Sequence, residues 1–320
     1  MSKVAFVFPG QGSQSVGMGQ ALAAASPAAR AVVEAADAAL GEPISRLAWE
    51  GPKEDLDRTE NAQPALLATS IAYLAAMRER WAAAGIAAPA PAYAAGHSMG
   101  QYSALVASGA LALEDGVRLV RERGLRMQAS GSGRDGAMAA ILGLDPAALP
   151  ELIAQGSAHG ILAVANRNDP GQTVISGERA AIEAAAEIAK SLGAKRAIVL
   201  PVSVAAHSPL MAEAAAAMRV VLASVAFHDP AMPLLANADA RPITTAEGCR
   251  AELVEHLTAG VDWVRAVRSM VDAGVGTFIE VGPGKVLTNL IKRIDPKATA
   301  LALDDANAPD RLALPFATQS

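Results

Sequence analysis

Ala94-Ala95-Gly96-His97-Ser98-Met99-Gly100-Gln101-Tyr102-Ser103-Ala104-Leu105 is the stretch from which the fold is read. Its centre, Gly96 to Gly100, fits Gly-x-Ser-x-Gly, the pattern of a nucleophile elbow. The short apolar approach Ala92–Ala95 predicts a strand, and Tyr102–Ser108 continues at helical spacing. Strand, sharp turn and helix therefore follow in the order that the motif needs. The two glycines suit a turn too tight for side chains, from which the Ser98 hydroxyl can project. The N-terminus of the next helix then points N–H groups at an oxyanion formed beside it. The chain holds 27 glycines, so the pentapeptide alone says little; its flanks make Ser98 the candidate nucleophile.

The bulk composition narrows the classes. Of the 320 residues, 52% are hydrophobic and 18% charged, which places the chain among globular proteins with a substantial core. A net charge of −5, 3% aromatics and no long basic run argue against nucleic acid as a partner. Cys249 is the single cysteine, which excludes an internal disulfide and a multi-cysteine metal site and points to a reducing compartment. After Lys3 only five apolar residues precede Pro9-Gly10, too few for a secretory leader. No run approaches the roughly 18 apolar residues of a membrane span. The expectation is a soluble, cytoplasmic chain with no membrane partner.

Working outward from the elbow, Val4–Phe8 reads as a buried strand ended by Pro9-Gly10. Gly10-Gln11-Gly12-Ser13-Gln14 is half of a dinucleotide fingerprint, but Ser15 stands where the third glycine belongs, so a backbone-donor loop beside the site is the better reading. Ser26-Pro27 caps a helix over Ala28–Leu40, and Gln63-Pro64 opens a longer one to Trp81. A helix starting at Leu113-Glu114-Asp115 carries Arg118, Arg121, Arg123 and Arg126 before the hinge-like Ser130-Gly131-Ser132-Gly133. The pattern then changes to strand, helix, strand, strand, helix, strand, the ferredoxin-like order. We take 132–202 as an inserted small subdomain and 1–131 with 203–306 as the larger one, leaving 307–320 as a C-terminal tail. In the larger part, helices are expected from Ser208-Pro209 to Val225 and over Ala246–Leu257 and Asp262–Ala273, and a buried strand over Thr277–Val281. Gly282-Pro283-Gly284-Lys285 lacks the spacing of a phosphate-binding loop and reads as a turn.

A serine nucleophile needs a base, and there are five histidines. His97 adjoins Ser98 but on a turn should face away. His159 and His228 lie in loops with nothing catalytic nearby, and His256, late in a helix, suits a solvated position. His207, at the subdomain boundary and just before a capped helix, is the favoured candidate. Asp229, Asp239 and Asp262 offer no distinctive orienting partner.

Phe8-Pro9-Gly10-Gln11-Gly12-Ser13-Gln14, Gly96-His97-Ser98-Met99-Gly100, the arginine-rich helix, His207 and Glu280-Val281-Gly282-Pro283-Gly284 occur in the order seen in malonyl-coenzyme A:acyl-carrier-protein transacylases. The chain resembles that family from about residue 3 to about 303. The resemblance implies an α/β fold, an α/β-hydrolase-like large subdomain with an inserted ferredoxin-like small subdomain. It implies ping-pong transfer of malonyl from malonyl-CoA through a malonyl-serine to the thiol of acyl carrier protein, in fatty acid synthesis, with no cofactor and no metal. By resemblance, Ser98 and His207 are catalytic, and the backbone amides of Gln11 and Met99 form the oxyanion hole. Arg123 holds the malonyl carboxylate, Gln63, Asn166 and Met127 line the acyl pocket, and the carbonyl of His256 orients His207. On the residues alone, Arg123 is not distinguishable from its three neighbours, all of which suit a solvated helix face. A guanidinium fork does suit a carboxylate. Gln101 stands where the family usually has Glu, His256 occupies the place of a common Gln, and Ala205-Ala206 replaces the usual Pro-Ser before His207, a position that by the resemblance bears on acyl selectivity. The rival readings are a trans-acting acyltransferase of a polyketide or malonate decarboxylase system, and a serine esterase sharing the elbow.

Overall fold

The computed structural model describes residues 2–131, 135–202 and 204–304. Along the chain, β1 (Lys3–Phe8) and β2 (Tyr93–Gly96) precede a group of four, β3 (Gly136–Leu142), β4 (Leu162–Asp169), β5 (Gln172–Glu178) and β6 (Arg196–Val199). The short β7 (Leu234–Leu235), β8 (Pro242–Ile243) and β9 (Val261–Asp262) follow, then β10 (Val275–Glu280) and β11 (Thr299–Ala302). Six of them form a sheet in the order β11-β10-β1-β2-β7-β8, parallel except for the β7–β8 hairpin.

The central strands of that sheet are apolar at successive positions because helices cover both faces. Ala5 and Val7 of β1 and Phe278 of β10 pack with Trp263, Val267 and Met270 of the helix Trp263–Asp272 and with Leu290 of the helix Val286–Ile294. Phe6, Phe8 and Ile279 point the other way, into the larger cluster built by the helices Thr59–Ala83, Gly100–Ala107 and Leu113–Gly131. The carboxyl ends of β1 and β2, where ligands of such sheets bind, lead directly into Gly10-Gln11 and His97-Ser98.

The second sheet has the order β6-β3-β5-β4-β9. Its first four strands pair antiparallel, and the helices Leu149–Gly156 and Arg179–Ser191 pack on it through Leu152, Ile182 and Ala185. The strand–helix alternation expected over this stretch is therefore present. One strand arrives from outside it: β9 adds parallel to β4 at Asn166–Val261, so what was expected as the helix start at Asp262 is first a strand and then the cap of the helix, accepting from Arg265 N. The helix Leu113–Gly131 runs through Ser130, where a hinge was expected, while 132–134 and the tail 307–320 lie outside the described residues.

The helix expected to open at Gln63-Pro64 begins earlier, at Thr59, with the proline inside it. A proline there leaves the Glu60 carbonyl without its usual backbone donor. Arg121 Nη1 donates to that oxygen at 2.6 Å, which satisfies it. The two helices meet closely at this point, since a Cβ on Gly124 would stand 2.5 Å from Glu60 Cα. Among the described residues no helix is long and apolar enough to cross a membrane.

Candidate active site

The elbow is closed by backbone contact. A Cβ on Gly96 would lie 2.0 Å from the Gly100 carbonyl carbon, and one on Gly100 2.2 Å from the Phe8 carbonyl oxygen. Gln101, buried in the next turn, accepts from Gly96 N at 3.0 Å and donates to the Leu235 carbonyl at 3.1 Å, which joins the elbow to β7. Ser98 itself has φ 53°, and its N–H donates to Asn237 Oδ1 at 2.9 Å. Among the described residues three non-glycines have a positive φ, Ser98, His207 and Ala240. Such strain persists only where the surroundings over-determine it.

Ser98 Oγ lies 2.8 Å from His207 Nε2, and His207 Nδ1 lies 2.6 Å from the His256 carbonyl. A carbonyl can only accept, so Nδ1 carries the proton and Nε2 is free to accept from the hydroxyl. Burial, with the positive charge of Arg123 adding to it, pushes the His207 pKa down to about 3, so the ring is neutral at physiological pH. His256 was expected to be solvated and is instead wholly buried, because its helix packs that face under the site. Its Nδ1 donates to the Glu252 carbonyl at 3.0 Å, and burial holds its pKa well below the usual histidine value.

Of the four arginines on the helix Leu113–Gly131, Arg123 alone enters the site. Arg118 bonds the Ala39 carbonyl and Asp115, Arg121 bonds Glu60, Asn61 and Glu42, and Arg126 bonds Glu122. Arg123 is 1% exposed. Its Nη1 donates to Gln63 Oε1 at 2.8 Å and its Nη2 to Ser98 Oγ at 3.1 Å, with His256 Nε2 at 3.3 Å. The Nε is unpartnered, and no carboxylate of the described residues pairs with this cation. A buried charge left in this condition is costly unless a counter-charge arrives.

These groups face a cleft of about 780 Å³. Gln11, Ser98, Met99, Arg123, Met127, Asn166 and His207 line it, with β3 and β4 forming one wall through Met138, Ala140 and Asn166. Gln63 and His256 stand behind that lining and reach it through Arg123 and His207. His97 was expected to face away; it lines the cleft, because its Nε2 bonds Asn168 Oδ1 at 2.9 Å and its ring packs on Trp263. Asn237 and Glu252, which hold the elbow from below, were not singled out from sequence. Such an arrangement can move a proton from Ser98 to His207 and seat an anion beside the same hydroxyl.

Residues 5–301 match the model of the acyl transferase domain. The chain belongs to the acyl transferase domain family. A malonyl CoA-acyl carrier protein transacylase of Bacillus subtilis is 44% identical over 306 residues, 95% of this chain and 94% of the relative. An acyl carrier protein S-malonyltransferase of Vibrio cholerae superposes with a TM-score of 0.92 at 40% identity, covering 97% of this chain and 100% of that one. A malonyl-transacylase solved in complex with its type II PKS acyl-carrier protein superposes with a TM-score of 0.91, again at 40% identity, covering 97% and 98%. As an acyltransferase, the chain places its elbow serine against a neutral imidazole and an unneutralised guanidinium.

Proposed function

We infer that the chain transfers a malonyl group from coenzyme A to the phosphopantetheine thiol of acyl carrier protein, by a ping-pong route through a malonyl-serine, in fatty acid synthesis. The observation that carries this reading is Arg123, a buried cation without a carboxylate partner whose Nη2 stands 3.1 Å from Ser98 Oγ. An acyl group with a carboxylate one methylene from its carbonyl can keep its anion at the guanidinium while the carbonyl sits at the serine. An esterase pocket for neutral acyl groups has no use for that charge. The names of the relatives support the same substrate pair.

In this reading Ser98 Oγ attacks the thioester carbonyl as its proton passes to His207 Nε2. The oxyanion rests on the backbone N–H groups of Gln11 and Met99. The sulfur of coenzyme A leaves with the proton from His207, completing acylation. The carrier thiol then gives its proton to His207, attacks the serine ester, and Ser98 recovers its proton as the malonyl thioester leaves. The His256 carbonyl keeps His207 Nδ1 protonated throughout, a task often given to a carboxylate. Arg123, braced from behind by Gln63, holds the malonyl carboxylate, and Met127 and Asn166 bound the acyl pocket.

We further propose 132–202 as a subdomain inserted between 1–131 and 203–306, a division supported by the separate core around Ile141, Leu152, Ile175 and Ile182. The reaction is assigned to the cytoplasm, a reading supported by the buried, unpaired Cys249. Intact-mass spectrometry after incubation with malonyl-CoA tests the function. The wild type should gain one malonyl group and lose it to added holo-carrier protein, and Ser98→Ala should gain none. An adduct on Ser98→Ala, or hydrolysis in place of transfer, would overturn the reading.

A further inference from the structure

The Ser98–His207 pair is assembled from elements far apart in the chain, and one helical turn touches both halves. Glu252, 1% exposed, accepts at Oε1 from Asn237 N at 2.7 Å and from Asn237 Nδ2 at 3.1 Å. With Nδ2 held toward Glu252, the Asn237 side-chain amide turns its Oδ1 to the Ser98 N–H, 2.9 Å away. Asp262 N donates to the Asn237 carbonyl at 2.7 Å, so the backbone of this asparagine is fixed from a third side. The hairpin that carries Asn237 closes through Ala240 N to the Ala236 carbonyl, and Ala240 is the third non-glycine residue with a positive φ. The main chain of the same turn serves the base: the Glu252 carbonyl accepts from His256 Nδ1, and the His256 carbonyl accepts from His207 Nδ1.

We propose that Asn237 and Glu252 are positioning residues that hold the Ser98 elbow at hydrogen-bond distance from His207, by tying both to the turn 252–256 of the helix Ala246–Ala259. The side chain of Glu252 sets the serine through Asn237, and its carbonyl sets the histidine through His256. Neither residue touches the acyl group; each fixes where Oγ stands relative to Nε2. Glu252 meets Asn237 through one acceptor oxygen, Oε1, while Oε2 makes no hydrogen bond and stands 3.9 Å from Arg241 Nη2, so an amide keeps the acceptor that Asn237 uses. The proposal rests on Ser98 being the acylated residue.

Single-turnover acylation by malonyl-CoA is measured for wild type, Asn237→Ala, Glu252→Ala, Glu252→Gln and the double alanine variant, with thermal melts alongside. Misplacing Oγ by a fraction of an ångström to 1 Å should slow acylation about tenfold to hundredfold in either alanine variant. KM should stay within about twofold, because Arg123 still binds the carboxylate. Glu252→Gln should restore the rate to within about threefold, and the double variant should be no slower than the slower single one. If Asn237→Ala does not fold, Asn237→Asp takes its place; it keeps an acceptor for Ser98 N–H but turns an oxygen on Glu252, and should be slowed likewise. Full acylation rates in the folded alanine or Asp variants, additive losses, a change confined to KM, or a Glu252→Gln as slow as Glu252→Ala would overturn the proposal. A wild type that takes no malonyl group would instead overturn the functional reading itself.

Discussion

Arg123 Nη2 donates to Ser98 Oγ across 3.1 Å, so the buried cation and the elbow hydroxyl share one hydrogen bond before any substrate enters. The guanidinium is otherwise held by Gln63 and His256, both neutral, and keeps its charge unmatched. An acyl group bearing a carboxylate supplies the missing charge at the point where acylation occurs.

Removing the base should cost rate rather than structure. His207→Ala is expected to slow acylation by about two to four orders of magnitude, the usual range for loss of a general base. The readout is stopped-flow or quenched-flow acylation with malonyl-CoA. His256→Ala should do less damage, since the carbonyl that holds His207 Nδ1 belongs to the backbone. A nearly silent His207→Ala would refute the assignment.

The pH profile follows from the buried ring. Burial and Arg123 disfavour the charged form of His207 and bring its pKa to about 3, so the neutral form persists as pH falls through the ordinary histidine range. For acylation, kcat/KM should therefore show no inflection near 6.5 between about pH 5.5 and 8. The same direction applies to stability: the unfolded chain binds the proton that folded His207 refuses, so this residue's contribution falls as pH drops below about 6.5 toward 3. A kcat/KM profile that falls tenfold per pH unit below 6.5 would contradict the account.

The elbow leaves no room for a methyl group. Gly96→Ala would place a Cβ 2.0 Å from the Gly100 backbone, which must shift by more than a side chain can absorb. The expected loss of stability is about 3 kcal/mol or more, at the upper end of overpacking costs, read from denaturant melts. Unchanged melting would mean that the turn is not as tight as described.

Legibility in the sequence followed the range of the interactions. The elbow could be read because its demands are local: two glycines, an apolar strand and a helix within a dozen residues. The strands β1 and β10 and the capped helix Pro27–Leu40 were readable for the same reason, Ser26 Oγ accepting from Ala29 N as its position suggests. Arg123 was not separable from Arg118, Arg121 and Arg126, since helical spacing does not say which arginine lies under a neighbour. The close approach at Gly124 and the partners of the other three decide it. Asn237 lies 139 positions from Ser98 and Glu252 a further 15 on, in a hairpin and a helix whose residue types carry no motif. A polar residue late in a helix is usually exposed, and only tertiary packing buries His256.

The central claim is that Arg123 selects an anionic acyl group for Ser98, and one comparison tests it most directly: kcat/KM for malonyl-CoA and for acetyl-CoA in wild type, Arg123→Ala and Arg123→Lys. Deleting the guanidinium should cost malonyl transfer about 2–5 kcal/mol and leave acetyl transfer nearly unchanged, so the acetyl-to-malonyl ratio rises steeply. Arg123→Lys should recover part of the malonyl rate, because an ammonium supplies the charge without the planar two-point contact. Equal loss of both activities in Arg123→Ala would make the arginine a structural residue and contradict the account.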